Sequence, residues 1–419
     1  MKSGGISPPR NQGPVFPAPF YCAAEPLVQK TGPMKKFIFQ TVSVLHFGEG
    51  CLAELPAQIA ALRASRPMIV TDRGIVDAGL IGPVEQILAD AGLEATIFDA
   101  VVADPPEAIV LQAIEMARST GVDIVIGLGG GSSLDTAKVV AALAVDGAQP
   151  LADIYGVGAL ERKGLPTILI PTTSGTGSEV TAISILTTGE TTKAGIVSPF
   201  LLADVTLLDP ALTLGLPADV TAATGIDAMV HAIEAFTGRH AKNPVSDMLA
   251  IEALKLLTGN IETACLDGRN MAAREAMLRG SMLAGQAFAN SPVGAIHALA
   301  YPLGGIYHIP HGLSNALVMP YVMQFNLEAA APLYAQLADA LDIPRASENS
   351  SEARAQQLID YLEGLAIKVK APRRLREIGI SQVATSELAQ AAMLQTRLLV
   401  NNPKELTQAD AQRIYDAAW

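Results

Sequence analysis

The first half of the chain alternates short apolar runs with amphipathic ones, and this alternation restricts the fold more than any other feature. "RPMIVTD" (66–72) reads as a strand, "AGLIGPVEQILADAG" (78–92) as a helix, "EATIFDAV" (94–101) as the next strand and "PEAIVLQAIEMARSTG" (106–121) as the next helix. "VDIVIGLGG" (122–130) is a wholly apolar strand, "SSLDTAKVVAALA" (132–144) a helix and "LPTILIPTT" (165–173) a strand. Strands apolar on both faces and separated by helices imply βαβ units and a parallel sheet covered on both sides. After Leu216 the texture changes. "PADVTAATGIDAMVHAIEAFTG", "PVSDMLAIEALKLLTGNIETAC", "MAAREAMLRGSMLAGQAFA" and "LSNALVMPYVMQF" all carry helical spacing, and alternating β-branched residues nearly vanish. The predicted fold class is an α/β N-terminal domain with a parallel sheet, residues 34–214, followed by an all-α C-terminal domain, residues 215–419.

Residues 1–33 are rich in Pro and Gly, show no periodicity and lack the apolar core of a secretory signal. They read as a flexible N-terminal extension or the product of an upstream start ahead of Met34, with a recognition tail as the alternative. Half of the residues are hydrophobic and 17% are charged, as in a well-buried globular protein. Runs of about 18 uninterrupted apolar residues are absent, which argues against a transmembrane helix. A net charge of −12 argues against a nucleic-acid partner. It leaves room for a small polar substrate, or for a nucleotide held by backbone amides. Cys22, Cys51 and Cys265 are widely spaced and form no C-x-x-C pair. This argues against a disulfide framework and against thiolate zinc, and for a reducing, cytoplasmic setting.

The strand "VDIVIGLGG" runs into Gly129, Gly130 and Gly131, and a helix is predicted to open at Ser132. Glycines let the backbone approach an anion closely, and the free amides and positive dipole end of the helix favour phosphate. The alternative is a tight turn with Ser132 and Asp135 forming a capping box. The spacing is not G-x-G-x-x-G. Asp72 closes the strand "MIVTD", where a carboxylate can accept ribose hydroxyls and repel a 2′-phosphate, or can simply cap the next element. "PTTSGTGSEVT" (171–181) can line a phosphate or ribose site, or be a plain polar loop.

Of six histidines, three fall within "HALAYPLGGIYHIPHG" (297–312). Asp227 and His231 lie four apart on a predicted helix, so both occupy one face one turn apart. Alone, that pair also reads as an ordinary Asp with a satisfied helix-face His. With His297 and His311 it becomes one carboxylate and three imidazoles, provided that the Pro-Leu-Gly-Gly between the two histidines reverses the chain. Such an N/O set suits Fe(II) or Zn(II) rather than Cu(I) or Mg(II).

"GGGSSLDTAK", "PTTSGTGSEVT", "GIDAMVHAIEAF", "HALAYPLGGIYHIPHGLSNA" and the closing "TRLLVNNPKELTQADAQRIYDAAW" resemble the iron-containing (group III) alcohol dehydrogenases over about Lys35 to Trp419. The resemblance implies a dehydroquinate synthase-like architecture, with a dinucleotide domain, a helical domain and a cleft between them. It implies metal ligation by Asp227, His231, His297 and His311, with Fe(II) as the metal and Zn(II) as the alternative. It also implies NAD as cofactor, with Gly129, Gly130, Gly131 and Ser132 at the diphosphate and Asp72 at the ribose. Asp104, Thr172, Thr173, Thr176 and Lys193 match further cofactor positions. Some relatives carry a proton-handling histidine four residues after the third ligand. Here that position is Tyr301, and His308 is either a substitute relay or a solvent-facing loop residue.

The implied activity is reversible oxidation of a small alcohol to an aldehyde or ketone, in a homodimer or larger homo-oligomer. Rivals are a glycerol-dehydrogenase-like or maleylacetate-reductase-like enzyme, a dehydroquinate-synthase-like lyase, and a non-catalytic metal-binding protein. The lyase would need basic residues around a phosphorylated substrate, and the ligand-bearing stretches are poor in Lys and Arg.

Overall fold

The computed structural model describes Met1 and residues 36–189, 192–345 and 350–419. The extension predicted over 1–33 lies, Met1 apart, outside the described residues. Phe37 to Trp419 form one compact unit.

The strands are β1 (Val44–Phe47), β2 (Pro67–Asp72), β3 (Thr96–Val101), β4 (Ile124–Gly129), β5 (Gly156–Val157), β6 (Thr167–Pro171), β7 (Ile183–Thr188), β8 (Thr192–Val197) and β9 (Val205–Leu208). Six of them make a sheet in the order β1-β9-β6-β4-β2-β3, with every neighbouring pair parallel. From β2 the chain moves outward to β3, then crosses back to β4 on the other side. The strand order therefore reverses between β2 and β4, and a crevice opens there at their C-terminal ends.

Helices α1 (Leu55–Ala61), α2 (Arg73–Asp77), α3 (Ile81–Asp90), α4 (Glu107–Thr120) and α5 (Gly131–Leu143) connect the early strands. Period-two alternation sorts β4 between two cores. Val125 joins Val110, Ile114 and Leu134 on the α4–α5 face, while Ile124, Ile126 and Leu128 join Leu55, Ile59 and Val84 on the α1–α3 face. A second sheet, β5-β8-β7, pairs β7 antiparallel with β8. The sequence reading did not anticipate it.

The helical half comprises α6 (Ala218–Thr237), α7 (Pro244–Leu266), α8 (Met271–Asn290), α9 (Ala295–Tyr307), α10 (His311–Ala340), α11 (Ser351–Lys368), α12 (Thr385–Ala392), α13 (Thr396–Leu399) and α14 (Gln408–Ala418). We propose that the boundary between the two predicted domains falls between the turn Pro210–Thr213 and α6. Every residue of α6 from Gly225 to Thr237 is buried. Its polar side chains therefore need partners in the interior.

Two local expectations are corrected. Helix α5 starts at Gly131 with Gly130 as its N-cap, and no side chain caps it. Asp135 does not close a capping box with Ser132. Its carboxylate accepts from the Ile185 amide at 2.7 Å and Ser178 Oγ at 2.5 Å, and pairs with Lys138 Nζ at 3.1 Å. Second, Pro302-Leu303-Gly304-Gly305 does not reverse the chain. These residues lie inside α9, and the reversal falls on His308, in the left-handed region with φ 55°, and on Pro310, the N-cap of α10.

Candidate metal centre and cofactor cleft

Helix α6 presents Asp227 and His231 on one face, α9 contributes His297, and His311 is the first residue of α10. The four side chains meet. One ligand atom from each lies within 4.8 Å of all the others. His297 Nε2 is 3.8 Å and His311 Nε2 3.6 Å from Asp227 Oδ1. Asp227, His231 and His297 are buried, and His311 is partly so. The His231 ring stacks between Phe288, at a centroid distance of 4.2 Å, and His297, at 4.6 Å.

Burial favours the neutral ring at two of the histidines, pushing His231 down to about 3 and His311 down to about 4. Burial works against the Asp227 charge, but the surrounding imidazoles and the Asn315 amide outweigh it and hold the carboxyl below its usual range. The cluster thus presents ring lone pairs and one carboxylate at pH 7. That converging donor set fits a first-row divalent cation bonded at about 2.0–2.2 Å after small side-chain adjustments.

Two groups behind these ligands escaped the sequence reading. Glu234, one turn after His231 on α6, receives His297 Nδ1–H at 2.6 Å and the Ile296 amide at 2.7 Å. This fixes the tautomer, so that His297 Nε2 faces the centre with a free lone pair. Asn315, one turn after His311, donates to Asp227 Oδ1 at 2.6 Å and lies 3.3 and 3.4 Å from Nε2 of His297 and His311. The pattern D-x-x-x-H-x-x-E was the available signal for Glu234.

The glycine turn borders two cavities. One, of about 550 Å³, lies over the β2–β4 crevice and is lined by Asp72, Gly130, Gly131, Ser132, Thr172 and Thr173 among others. The other, of about 140 Å³, is lined by Gly131, Ser132, Asp104, Thr176, Lys193 and Tyr301, together with His231, His297 and His311. Gly131 and Ser132 are common to both, so the turn leads from the crevice to the candidate metal centre. A Cβ at Gly131 would lie 2.7 Å from Thr176 Cγ2, so only glycine lets the 171–181 loop approach so closely. The uncapped amides of α5 open toward the crevice, and Thr172 Oγ1 is buried there without a hydrogen-bond partner. A phosphate-bearing ligand fits both observations.

Asp72 caps the next element, one of its two expected readings, and also stands at the wall of the larger cavity. Oδ1 caps α2 by accepting from the Ile75 amide at 3.1 Å, and Oδ2 receives Ser133 Oγ–H at 3.0 Å. Lys193 pairs with Asp104 at 2.6 Å, joining β8 to the loop before α4. Buried Lys138 donates to Ser178 O at 2.9 Å and to Ile183 O, tying α5 to the loop that carries Thr176.

Residues 43–210 match the family described as iron-containing alcohol dehydrogenase, and residues 221–419 match the C-terminal part of the Fe-containing alcohol dehydrogenase family. The chain belongs to the iron-containing alcohol dehydrogenases. It is similar to long-chain-alcohol dehydrogenase 1 of Geobacillus thermodenitrificans, at 42% identity over 92% of this chain and 96% of that protein. Among solved structures it resembles a 1,3-propanediol oxidoreductase, with a TM-score of 0.88 and 32% identity over 92% of this chain and 100% of that one. It also resembles the sulfoacetaldehyde reductase of Bifidobacterium kashiwanohense in complex with NAD+, with a TM-score of 0.82 and 28% identity over 92% and 99% of the two chains.

This alcohol dehydrogenase is an oxidoreductase acting on alcohols, which removes the lyase and the non-catalytic alternatives. Among its described residues no helix is long and apolar enough to cross a membrane. Its two candidate proton-handling residues are placed differently. Tyr301 is buried, lines the smaller cavity and has its ring 5.8 Å from that of His311. Burial pushes its phenol up to about 12, against the pull of the Arg397 guanidinium. His308 is exposed as the C-cap of α9 and does not line that cavity. The structure brings Tyr301 to the ligands and leaves His308 outside.

Proposed function

We propose that the enzyme interconverts a small alcohol and its aldehyde or ketone with NAD and Fe(II), with Zn(II) as the alternative metal. The observation that carries this reading is the shared cavity, in which three of the four candidate ligands and two residues of the glycine turn line one space. Asp227, His231, His297 and His311 would hold the metal. Gly129, Gly130, Gly131, Ser132, Thr172, Thr173 and Thr176 would hold the dinucleotide, with Asp104 and Lys193 beside it. A metal so held would supply Lewis-acid polarisation of the substrate oxygen, and a nicotinamide bound in the same cleft would supply hydride chemistry.

The chain's own contribution is orientation and the exclusion of water. Ile183, Ile185, Phe288 and Val293 wall the cavity with apolar surface. Glu234 and Asn315 hold His297 and Asp227 in place. Tyr301, protonated at neutral pH, keeps its phenolic proton and offers a donor rather than a base. Preference for NAD over NADP is supported by Asp72 beside the crevice, where a 2′-phosphate would meet like charge. The adjacent Arg73, which also lines this cavity, pairs with Asp99 at 2.9 Å. The choice of iron is supported by the family, and the choice of NAD by the NAD+ complex of the sulfoacetaldehyde reductase. Cytoplasmic residence and a homo-oligomeric assembly complete the reading, on the sequence grounds given above.

The test is anaerobic purification with metal analysis, followed by a panel of alcohols and aldehydes with NAD and NADP. Substoichiometric divalent metal in an active enzyme, or no turnover of any alcohol or aldehyde, would overturn this reading.

A further inference from the structure

The charged groups around the smaller cavity are paired, with one exception. Asp104 holds Lys193, Asp135 is taken by Lys138, Ser178 and the Ile185 amide, and the imidazoles gather around Asp227. Arg397, on the four-residue helix α13, lines the same cavity beside Tyr301, and its guanidinium has no hydrogen-bond or carboxylate partner among the described residues. The fold makes room for this group. A Cβ on Gly195 of β8 would lie 3.2 Å from Arg397 Nη2 and 3.6 Å from Cζ. By contrast, the well-buried arginines elsewhere are satisfied, Arg274 by Thr221 Oγ1 and backbone carbonyls and Arg354 by Asp339, Gln357 and Ala338 O.

The half-buried, unpaired guanidinium faces a cavity walled in part by Ile183, Ile185, Phe288 and Val293. Its planar fork matches a carboxylate or another oxyanion better than any neutral group. We propose that Arg397 recognises an anionic group on the substrate, so that the enzyme takes short aldehydes and alcohols carrying a carboxylate or sulfonate at the end remote from the reacting carbon. The proposal rests on reading this cavity as the substrate site of the alcohol dehydrogenase. In the reducing direction, NADH gives hydride to the carbonyl carbon and is oxidised, the oxygen gains a proton, and the anionic group keeps all its bonds. The cofactor's own phosphates are the competing source of an oxyanion. They have the glycine turn and the amides of α5 on the crevice side, whereas Arg397 lines only the cavity that holds the candidate metal ligands.

The test compares kcat/KM for succinic semialdehyde and sulfoacetaldehyde with that for butanal, in the metal-loaded wild type and in R397Q and R397K. The wild type should favour the anionic aldehydes. In R397Q the anionic-to-neutral ratio should fall about 10- to 100-fold, the range for a hydrogen-bonded charge pair, with R397K in between. A ratio unchanged in R397Q overturns the proposal, and so does a loss expressed as a raised KM for NADH, which would assign Arg397 to the cofactor. If no aldehyde is turned over, the alcohol-dehydrogenase reading fails, and calorimetric titration of butyrate and propane-1-sulfonate still decides on Arg397. Weaker binding of both by R397Q supports the proposal, and equal or undetectable binding in the two proteins overturns it.

Discussion

Removing Glu234 should weaken metal binding without touching a ligand. Its carboxylate is 6% exposed and accepts two buried donors, His297 Nδ1–H at 2.6 Å and the Ile296 amide at 2.7 Å. Glu234→Ala leaves both donors unpaired, at about 1–3 kcal/mol each. The two losses appear in different measurements. The Ile296 share lowers the stability of the fold whether or not metal is present. The His297 share acts on the ring's tautomer and orientation, and groups in this position typically change metal affinity by about 10–100-fold, or about 1.4–2.8 kcal/mol. Glu234→Gln keeps the shape but has one acceptor oxygen for two donors, and its amide must face the other donor. It should fall between wild type and Glu234→Ala. The assay strips each protein with a chelator, measures zinc affinity by competition with a chromophoric chelator, and records the unfolding temperature of the stripped forms. Wild-type metal affinity in Glu234→Ala would refute the reasoning, even if the stripped protein were less stable.

His297→Ala should abolish both metal retention and turnover, measured by metal analysis of the purified protein, and a fully active metal-free variant would contradict the assigned centre. Asp72→Asn, which keeps an oxygen to cap α2 while removing the charge, should raise the NADP-to-NAD ratio of kcat/KM by about tenfold or more, and an unchanged ratio would remove Asp72 from cofactor selection. In the metal-stripped protein, burial has lowered His231 to about 3 and His311 to about 4 from the ordinary 6.5, so the unfolded chain binds more protons below 6.5 and stability is lost as pH drops through that range. Glu179, raised by burial to about 7, pulls the other way over part of the window, so the readout is a comparison. The fall in melting temperature between about pH 7.5 and about pH 5 should be smaller in His231→Leu and His311→Leu than in wild type, and equal slopes would contradict the neutral, buried imidazoles.

The parallel sheet and the four candidate ligands were legible because their signals are short-range or categorical. Strand β4 is apolar at every position, and Asp227 and His231 share a helix face by spacing alone. The small sheet was not legible, since β5 has two residues and β7 and β8 gain their order from each other. The Ser132–Asp135 capping box failed for a similar reason. Asp135 has a better set of partners at Ser178 and Ile185, forty to fifty residues away, and no local pattern announces them. Glu234 and Asn315 were within reach, each one turn along a helix from a recognised ligand. Arg397 was not, because a four-residue helix is placed by packing rather than by propensity.

The misreading of Pro302-Leu303-Gly304-Gly305 shows what those residues are for. Proline and paired glycines ordinarily break a helix, yet α9 continues through them. A Cβ at Gly304 would lie 2.9 Å from Lys193 Nζ, so this glycine admits the β8 lysine that pairs with Asp104, rather than freeing the backbone to turn. The turning is done by His308, the non-glycine residue held at φ 55° after Tyr307. A histidine spent on the C-cap of α9 points its backbone, not its ring, at the problem of bringing His297 and His311 together. His308 is exposed and outside the cavity lining, whereas Tyr301 is an ionisable side chain that α9 itself brings to the cavity alongside His297.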